Sequence, residues 1–257
     1  MEINMKLPIA LQLYSVRDEM DKDFAEGLKK VREIGYEYVE LAGLRDHSPE
    51  DVKKMLDDAG LKAISAHVGI NSLQKPEIID GYKTIGCQYL AVPNLPGDAR
   101  PGAEYFDRSM NQIRTAGELC REKGITLLYH NHEFEFIKMP DGSLALDYMY
   151  ANIPADILQT ELDLCWVKVA GYEPVEFLKK YADRAPVVHF KDFVGELTPT
   201  TDTLAYRPLG EGVQDFPAIA QAVYETIAKY VVVEQDRSYD IPQIEAAKRS
   251  FEYLKTI

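Results

Sequence analysis

Four pairs of side chains, each spaced two residues apart, carry the chemistry open to this chain: His130 and His132, Glu161 and Asp163, His189 and Lys191, Glu234 and Asp236. Each pair closes a short apolar run. Residues i and i+2 of a β-strand share a face, so each strand would present both members of its pair to one place. One His-x-His is compatible with a solvated strand end. Four strands ending alike are hard to explain as packing, because a buried charge is costly unless it is paired or bound to a metal.

The elements that must position these pairs alternate eight times between β-branched or aromatic runs and amphipathic stretches bounded by glycine or proline. Strands are expected over 8–14, 36–42, 62–68, 87–93, from 125 through the His-x-His, 158–164, 186–192 and 230–236. Helices are expected over 23–34, from the Ser48 cap to Ala59, and over 77–85, 103–123, 144–152, 174–182, 216–228 and 242–255. Residues 193–214 read as the longest irregular segment, of the kind that often forms a binding loop. With no linker or low-complexity break, residues 1–257 read as one (β/α)8 TIM barrel of class α/β. A doubly wound open sheet is the alternative, but no glycine-rich nucleotide motif follows any strand.

In such a barrel the active site sits at the C-terminal ends of the strands. Leu158, Leu162 and Leu164 would face the helices, leaving Glu161 and Asp163 inward; Val231 and Val233 oppose Glu234 and Asp236. By the same parity His67 opposes Ala66 and Val68, Glu40 opposes Val39 and Leu41, and Gln12 and Tyr14 oppose Leu11 and Leu13. His130, Asp163, His189 and Glu234 then meet at one mouth. This is a donor set for one divalent ion, Mn²⁺, Zn²⁺, Co²⁺ or Mg²⁺. A hydrogen-bonded polar layer without metal is the competing reading.

Composition narrows the partners. The chain is 46% hydrophobic and 28% charged with a formal net charge of −13, an ordinary globular mixture that repels polyanions, so nucleic acid is not expected. No apolar run approaches the roughly 20 residues of a membrane helix, and the N-terminus lacks a basic, apolar leader. A cytoplasmic protein without membrane contact is expected. Cys87, Cys120 and Cys165 have no metal or disulfide spacing and read as buried free thiols.

The ordered stretches YHNHEFEF at 129–136, ELDLCW at 161–166, VHFKD at 188–192, PLGEGVQDF at 208–216 and VVEQD at 232–236, with QLYS at 12–15, resemble the xylose-isomerase-like TIM-barrel superfamily. That group holds sugar isomerases and epimerases, inosose dehydratase and endonuclease IV. The resemblance implies one divalent metal, with Asp163, His189 and Glu234 as the second, third and fourth ligands. His130 stands where isomerases and epimerases usually carry glutamate, and His132 matches a substrate-contacting histidine. The missing carboxylate weakens a mechanism with paired carboxylates on opposite sides of the substrate, and the Tyr-His-x-His strand end also resembles inosose dehydratase. Glu133 could compensate if the strand were bulged. Trp166 replaces a histidine of several members and reads as an aromatic wall or a sugar-stacking surface. The ends of strands four and six offer Asn94 and Trp166 instead of the further histidines endonuclease IV needs.

The expected activity is that of a metal-dependent sugar isomerase or epimerase that abstracts a proton next to a carbonyl. A lyase acting on a keto-sugar or inosose is the alternative, and a non-catalytic sugar-binding barrel a third reading. Glu234 is the expected ligand and base, His132 an acid or substrate contact, and Lys191 a counter-charge for a developing oxyanion, unless it pairs with Asp192 or Glu161. Gln12, Tyr14, Glu40, His67, Trp166 and Arg207 are expected at the substrate. The glycines of LGEG are too weak a signal for a phosphate cradle. A small sugar or polyol without phosphate is the expected partner, with homo-oligomerisation left open.

Overall fold

Parallel strands surround a shared interior in the order β1 (Ile9–Gln12), β2 (Tyr38–Leu41), β3 (Lys62–His67), β4 (Tyr89–Val92), β5 (Thr126–His130), β6 (Gln159–Asp163) and β7 (Val187–Phe190). After a two-stranded antiparallel sheet of β8 (Asp192–Val194) and β9 (Ala205–Arg207), β10 (Tyr230–Val233) fills the place between β7 and β1, with Ile9 opposite Val231, and closes the barrel. The computed structural model describes residues 6–195 and 204–257.

The helices are α1 (Arg17–Lys22), α2 (Phe24–Ile34), α3 (Pro49–Ala59), α4 (Pro76–Ile85), α5 (Phe106–Glu122), α6 (Ala145–Asn152), α7 (Leu164–Val169), α8 (Pro174–Lys180), α9 (Phe216–Val223) and α10 (Gln243–Leu254). Their ends follow local chemistry. Ser48 accepts from the Asp51 N–H while Pro49 occupies the first turn of α3, and Gly60 ends that helix at φ 72, a conformation favouring glycine.

Strand parity sorts the apolar residues into two cores. Leu11, Val39, Leu127, Leu162, Val188 and Val231 join the helices in the outer layer. Ala10, Leu128, Val187 and Val232 form the inner one with Ile64 and Tyr89. Two positions further along their strands, the inward residues are Gln12, His130, His189 and Glu234, so the apolar interior gives way to polar groups towards the C-terminal ends. In β3 the pairing register shifts so that Val39 faces Ala63 but Glu40 faces Ser65. Ile64 is the extra residue, and this bulge turns both Ile64 and Ser65 inward.

Three stretches differ from the sequence expectation. The first strand stops at Gln12, because its side-chain oxygen accepts from the Tyr14 N–H and winds Leu13–Val16 into a 3-10 turn leading to α1. The sixth strand ends at Asp163, whose Oδ1 accepts from the Cys165 and Trp166 N–H groups and starts α7 at once. Residues 193–214, read as irregular, contain β9 and part of β8, while 196–203 lie outside the described residues.

The LGEG stretch has a structural task. The Asp192 carboxylate accepts backbone N–H groups from Phe193, Gly210, Gly212 and Gln214, so the glycine-rich turn wraps the chain's own anion. A Cβ at Gly212 would collide with that carboxylate. All three cysteines are buried and unpaired. No helix among the described residues is long and apolar enough to cross a membrane.

Candidate active site

The strand ends open into a cavity of about 920 Å³ lined by His67, His130, His132, Lys191, Glu234 and Asp236 on its polar side, with Tyr14, Asn94, Tyr206, Arg237 and Tyr239 also in its wall. Each polar group is set by its backbone. His130 is the last residue of β5. The Asn131 amide between the two histidines bridges to β6, accepting from the Asp163 N–H at 2.9 Å and donating to the Asp163 carbonyl at 3.1 Å. Asp163 spends Oδ1 on the α7 cap, which leaves Oδ2 buried and without a hydrogen-bond partner.

His130, Asp163, His189 and Glu234 each offer one ligand atom, all within 4.8 Å of one another. His130 Nε2 is 3.7 Å from Asp163 Oδ2, and His189 Nδ1 is 3.1 Å from Glu234 Oε2. Lys191 Nζ is a cation already seated among these oxygens, 3.2 Å from Asp163 Oδ2, 2.9 Å from Glu234 Oε2 and 3.2 Å from Asp236 Oδ2. Two imidazoles and two carboxylates with an orphaned oxygen form a donor set that fits a divalent ion.

The opposite edges of the two rings meet other carboxylates. His130 Nδ1 is 3.1 Å from Glu161 Oε2; His189 Nε2 is 2.9 Å from Glu40 Oε1 and 3.3 Å from Glu161 Oε2. His67 Nε2 lies 2.7 Å from Glu161 Oε2 and 3.1 Å from Glu40 Oε1. Gln12 and Ser65 donate to Glu40. A second possible cation group, His67, His130, Glu161 and His189, overlaps the first. There, three ring nitrogens converge on one carboxylate oxygen, the pattern of an acceptor gathering N–H donors. Glu161 therefore braces the rings, turning His130 Nε2 and His189 Nδ1 towards Asp163 and Glu234, as carboxylates behind metal-binding histidines do.

A family model for the xylose isomerase-like TIM barrel matches residues 28–257. The chain belongs to this family. Inosose dehydratase of Geobacillus kaustophilus (strain HTA426) is 22% identical over 246 residues, covering 82% of this chain and 79% of that one. A sugar phosphate isomerase/epimerase structure from Parabacteroides distasonis ATCC 8503 superposes with TM-score 0.80 at 25% identity, covering 97% of this chain and 94% of that one. A zinc-bound IOLI protein shares the fold with TM-score 0.73 at 16% identity, each chain being 96% covered.

Protonation in this xylose isomerase-like barrel follows the two-sided arrangement. Burial and the neighbouring His189 and His67 rings hold His130 well below the usual imidazole range, so it is neutral. Burial opposes protonation of His67, but Glu40 and Glu161 outweigh it and raise the ring to about 10. The same carboxylates raise His189 well above its ordinary value against burial. Burial would raise Glu234, but Lys191 and His189 prevail and hold it well below the usual carboxylate range. Burial and the Lys191 charge lower His132 to about 3.

A neutral His132 of such low basicity fits the substrate-contact half of the expectation, as a hydrogen-bond partner. It lines the cavity between Phe134 and Trp166, with ring centroids 5.4 and 5.2 Å away. Its backbone N–H donates to Glu135 Oε2 at 2.7 Å, and Tyr129 OH donates to the other oxygen of that buried carboxyl. His67 and Tyr14 line the cavity, whereas Gln12 and Glu40 have no exposed surface and lie outside its lining. In this geometry Gln12 donates to Glu40, and Glu40 faces His67 and His189.

Trp166 is buried behind His132, with Lys191 Nζ 5.3 Å from its ring; it forms a wall that presents no face to the cavity. Arg207, on β9, lies outside the lining, its guanidinium 6.0 Å from the Tyr239 ring. Glu133 starts a 3-10 turn and does not line the cavity. Lys191 pairs with the three acids above; its ion pairs include neither Asp192 nor Glu161. Asn131, Tyr206, Arg237 and Tyr239 are the site residues that strand parity did not reveal.

Proposed function

We propose that this barrel is a metal-dependent lyase that removes water from a keto-polyol, an inosose or keto-sugar, starting with the proton next to the carbonyl. The observation that carries the reading is one-sidedness: both cavity-lining carboxylates, Glu234 and Asp236, follow β10, while the lining groups after β3, β4 and β5 are imidazoles and an amide. Among the described lining residues, epimerisation through two opposed carboxylates finds no second carboxylate across from this pair, whereas elimination can proceed with one. The inosose dehydratase named above supports the same choice, and the zinc-bound relative supports a metal.

His130, Asp163, His189 and Glu234 would hold the ion, which when bound supplies a Lewis acid for the carbonyl and hydroxyl oxygens. Glu234, held ionised, suits a ligand better than a base. Asp236 lines the cavity outside the donor set and takes the C–H proton; electrons move into the carbonyl to give an enolate. The enolate re-forms the carbonyl as the β-hydroxyl leaves, and Asp236 returns the proton to that hydroxyl, releasing water. Lys191 Nζ, beside Asp236, offsets the oxyanion charge, and His67, His132 and Asn94 hydrogen-bond the remaining hydroxyls.

Isomerisation of a keto-sugar needs the same first step and one base, and is the second reading. Incubating the Mn²⁺-loaded protein with inososes and ketoses separates them. A product lighter by one water, absorbing in the ultraviolet as an unsaturated ketone, is expected; a product of unchanged mass would replace the lyase with the isomerase. A chain that neither retains metal nor responds to it would be a sugar-binding barrel.

A further inference from the structure

We infer that the substrate carries an anionic substituent, a carboxylate or a phosphate, which Arg237 holds at the cavity mouth. The inference rests on the keto-polyol reading above and adds the charge of the substrate to it. Three cationic groups line the cavity among the described residues, His67, Lys191 and Arg237, and they differ in what they touch: His67 is held by Glu40 and Glu161. Lys191 is committed to Asp163, Glu234 and Asp236. Arg237 is exposed at the wall with no carboxylate within ion-pair distance among the described residues. Four arginines elsewhere on this acidic chain meet carboxylates, Arg32 with Glu37, Arg45 with Asp21, Arg121 with Asp156 and Arg249 with Glu211, and Arg100, Arg114 and Arg184 donate to backbone carbonyls; Arg237 is the arginine that lines the cavity among the described residues.

The backbone carrying Arg237 is held by hydrogen bonds on both sides. Its carbonyl accepts from Gln235 Nε2 at 2.9 Å, and the Gln235 N–H donates to Ser15 Oγ at 3.0 Å. Two residues on, Tyr239 OH donates to the Leu204 carbonyl at 3.2 Å, which ties the segment to the chain entering β9. The guanidinium itself is left for a ligand. Two more arginines without a carboxylate partner among the described residues flank this edge: Arg17 lies 4.2 Å from the ring of cavity-lining Tyr14, and Arg207 6.0 Å from that of Tyr239. The cavity is thus acidic at the β10 strand end and basic at the rim. A neutral polyol would use only the first. A guanidinium fork matches carboxylate and phosphate oxygens alike, and in a chain of net charge −13 an unmatched one selects for an anion that the overall field disfavours.

The test is calorimetric titration of the full chain, with Mn²⁺ present, against the four 2-ketohexoses, each as the free sugar, its 6-carboxylate and its 6-phosphate. In at least one series the anionic member should bind about tenfold to a hundredfold tighter than its neutral parent, the scale of a charged hydrogen bond. Arg237→Ala should erase that preference and Arg237→Lys restore part of it, with the gain shrinking at high salt. The carboxylate and phosphate arms identify the anion. Equal binding of neutral and anionic members, or a preference that survives in Arg237→Ala with an unchanged melting curve, overturns this inference and leaves the keto-polyol reading intact. If no member of any series binds, the inference falls; the keto-polyol reading falls with it only if the inososes of the activity test also fail to bind.

Discussion

His130 and His189 are gripped from two sides by groups of the same types, and the two sides differ in what faces the cavity; buried atoms without a hydrogen-bond partner occur on both, Glu161 Oε1 and His189 Nε2 on one and Asp163 Oδ2 on the other. On one side Glu40 is satisfied by Gln12, Ser65 and two rings, and Glu161 Oε2 gathers three ring nitrogens. On the other, Asp163 Oδ2 lacks a hydrogen-bond partner and Glu234 opens onto the cavity. Carboxylates surrounded by N–H donors orient; carboxylates that share the cavity edge with imidazoles and one ammonium are placed to exchange those protons and that charge for a metal cation. On the proposed reading, function lies with the set that opens onto the cavity through Glu234, and the other set fixes the rings that serve it.

Replacing the two sets should therefore break different things. Asp163→Asn should lower metal affinity by at least about a hundredfold, more than the usual effect of a residue behind a ligand, and reduce turnover to background while the apo-protein melts near the wild-type temperature. Glu161→Gln should do the reverse in emphasis: loss of a buried charge partner costs about 3–5 kcal/mol of folding stability, with a smaller, roughly tenfold, loss of metal affinity. Denaturant titration of both apo-proteins beside metal analysis checks this. A stable Glu161→Gln and an unfolding Asp163→Asn would reverse the assignment.

Metal addition gives a smaller effect of the same sort. At a hundred times its dissociation constant, a bound ion adds about 2.7 kcal/mol to wild-type stability. Asp163→Asn should lose that increment, whereas Gln12→Ala, which removes a donor to Glu40 and the acceptor of the Tyr14 N–H but no ligand atom, should keep it. Thermal melts with and without Mn²⁺ read the difference; equal loss in both variants would make one cooperative unit of the two sets.

How much of this was visible in the residue order depended on how far from a strand a residue lies. Asp163, His189 and Glu234 were legible because their alternate neighbours, Leu162, Val188 and Val233, are apolar, and parity then turns them inward. Parity also turned Glu40 and Glu161 inward but could not say that they stop short of the cavity. For Glu161 that depends on the three rings that cover its Oε2, and for Glu40 on Ser65, which the β3 bulge sets opposite it, arrangements without a one-dimensional signature. Asn131 was opaque because its side chain lies between strand ends, replacing ladder bonds. Arg237 follows the end of β10, where period two has no meaning, and Tyr14 left its strand when the Gln12 side chain turned the chain. The α7 helix was missed because its cap, Asp163, is also a strand residue.

The weakest effect that still separates the two sets is the pH dependence of the metal-free protein. His67 is raised from 6.5 to about 10 by Glu40 and Glu161 against the cost of burial. A folded-state value above the unfolded one means that the native state keeps its proton longer. The stabilisation is whole below pH 6.5 and is lost as pH rises through about 10. Glu135, raised by burial from 4.5 to about 8, adds a loss of the same sign at lower pH. The apo-protein should thus become steadily less stable from neutral to alkaline pH, by on the order of a few kcal/mol. His67→Asn should flatten the alkaline part and Glu135→Gln the part below pH 8, while Arg237→Ala leaves both slopes in place. Urea titrations between pH 5 and 10 would show it. An alkaline slope unchanged in His67→Asn would mean that Glu40 and Glu161 do not hold a proton on that ring, and the brace would reduce to packing.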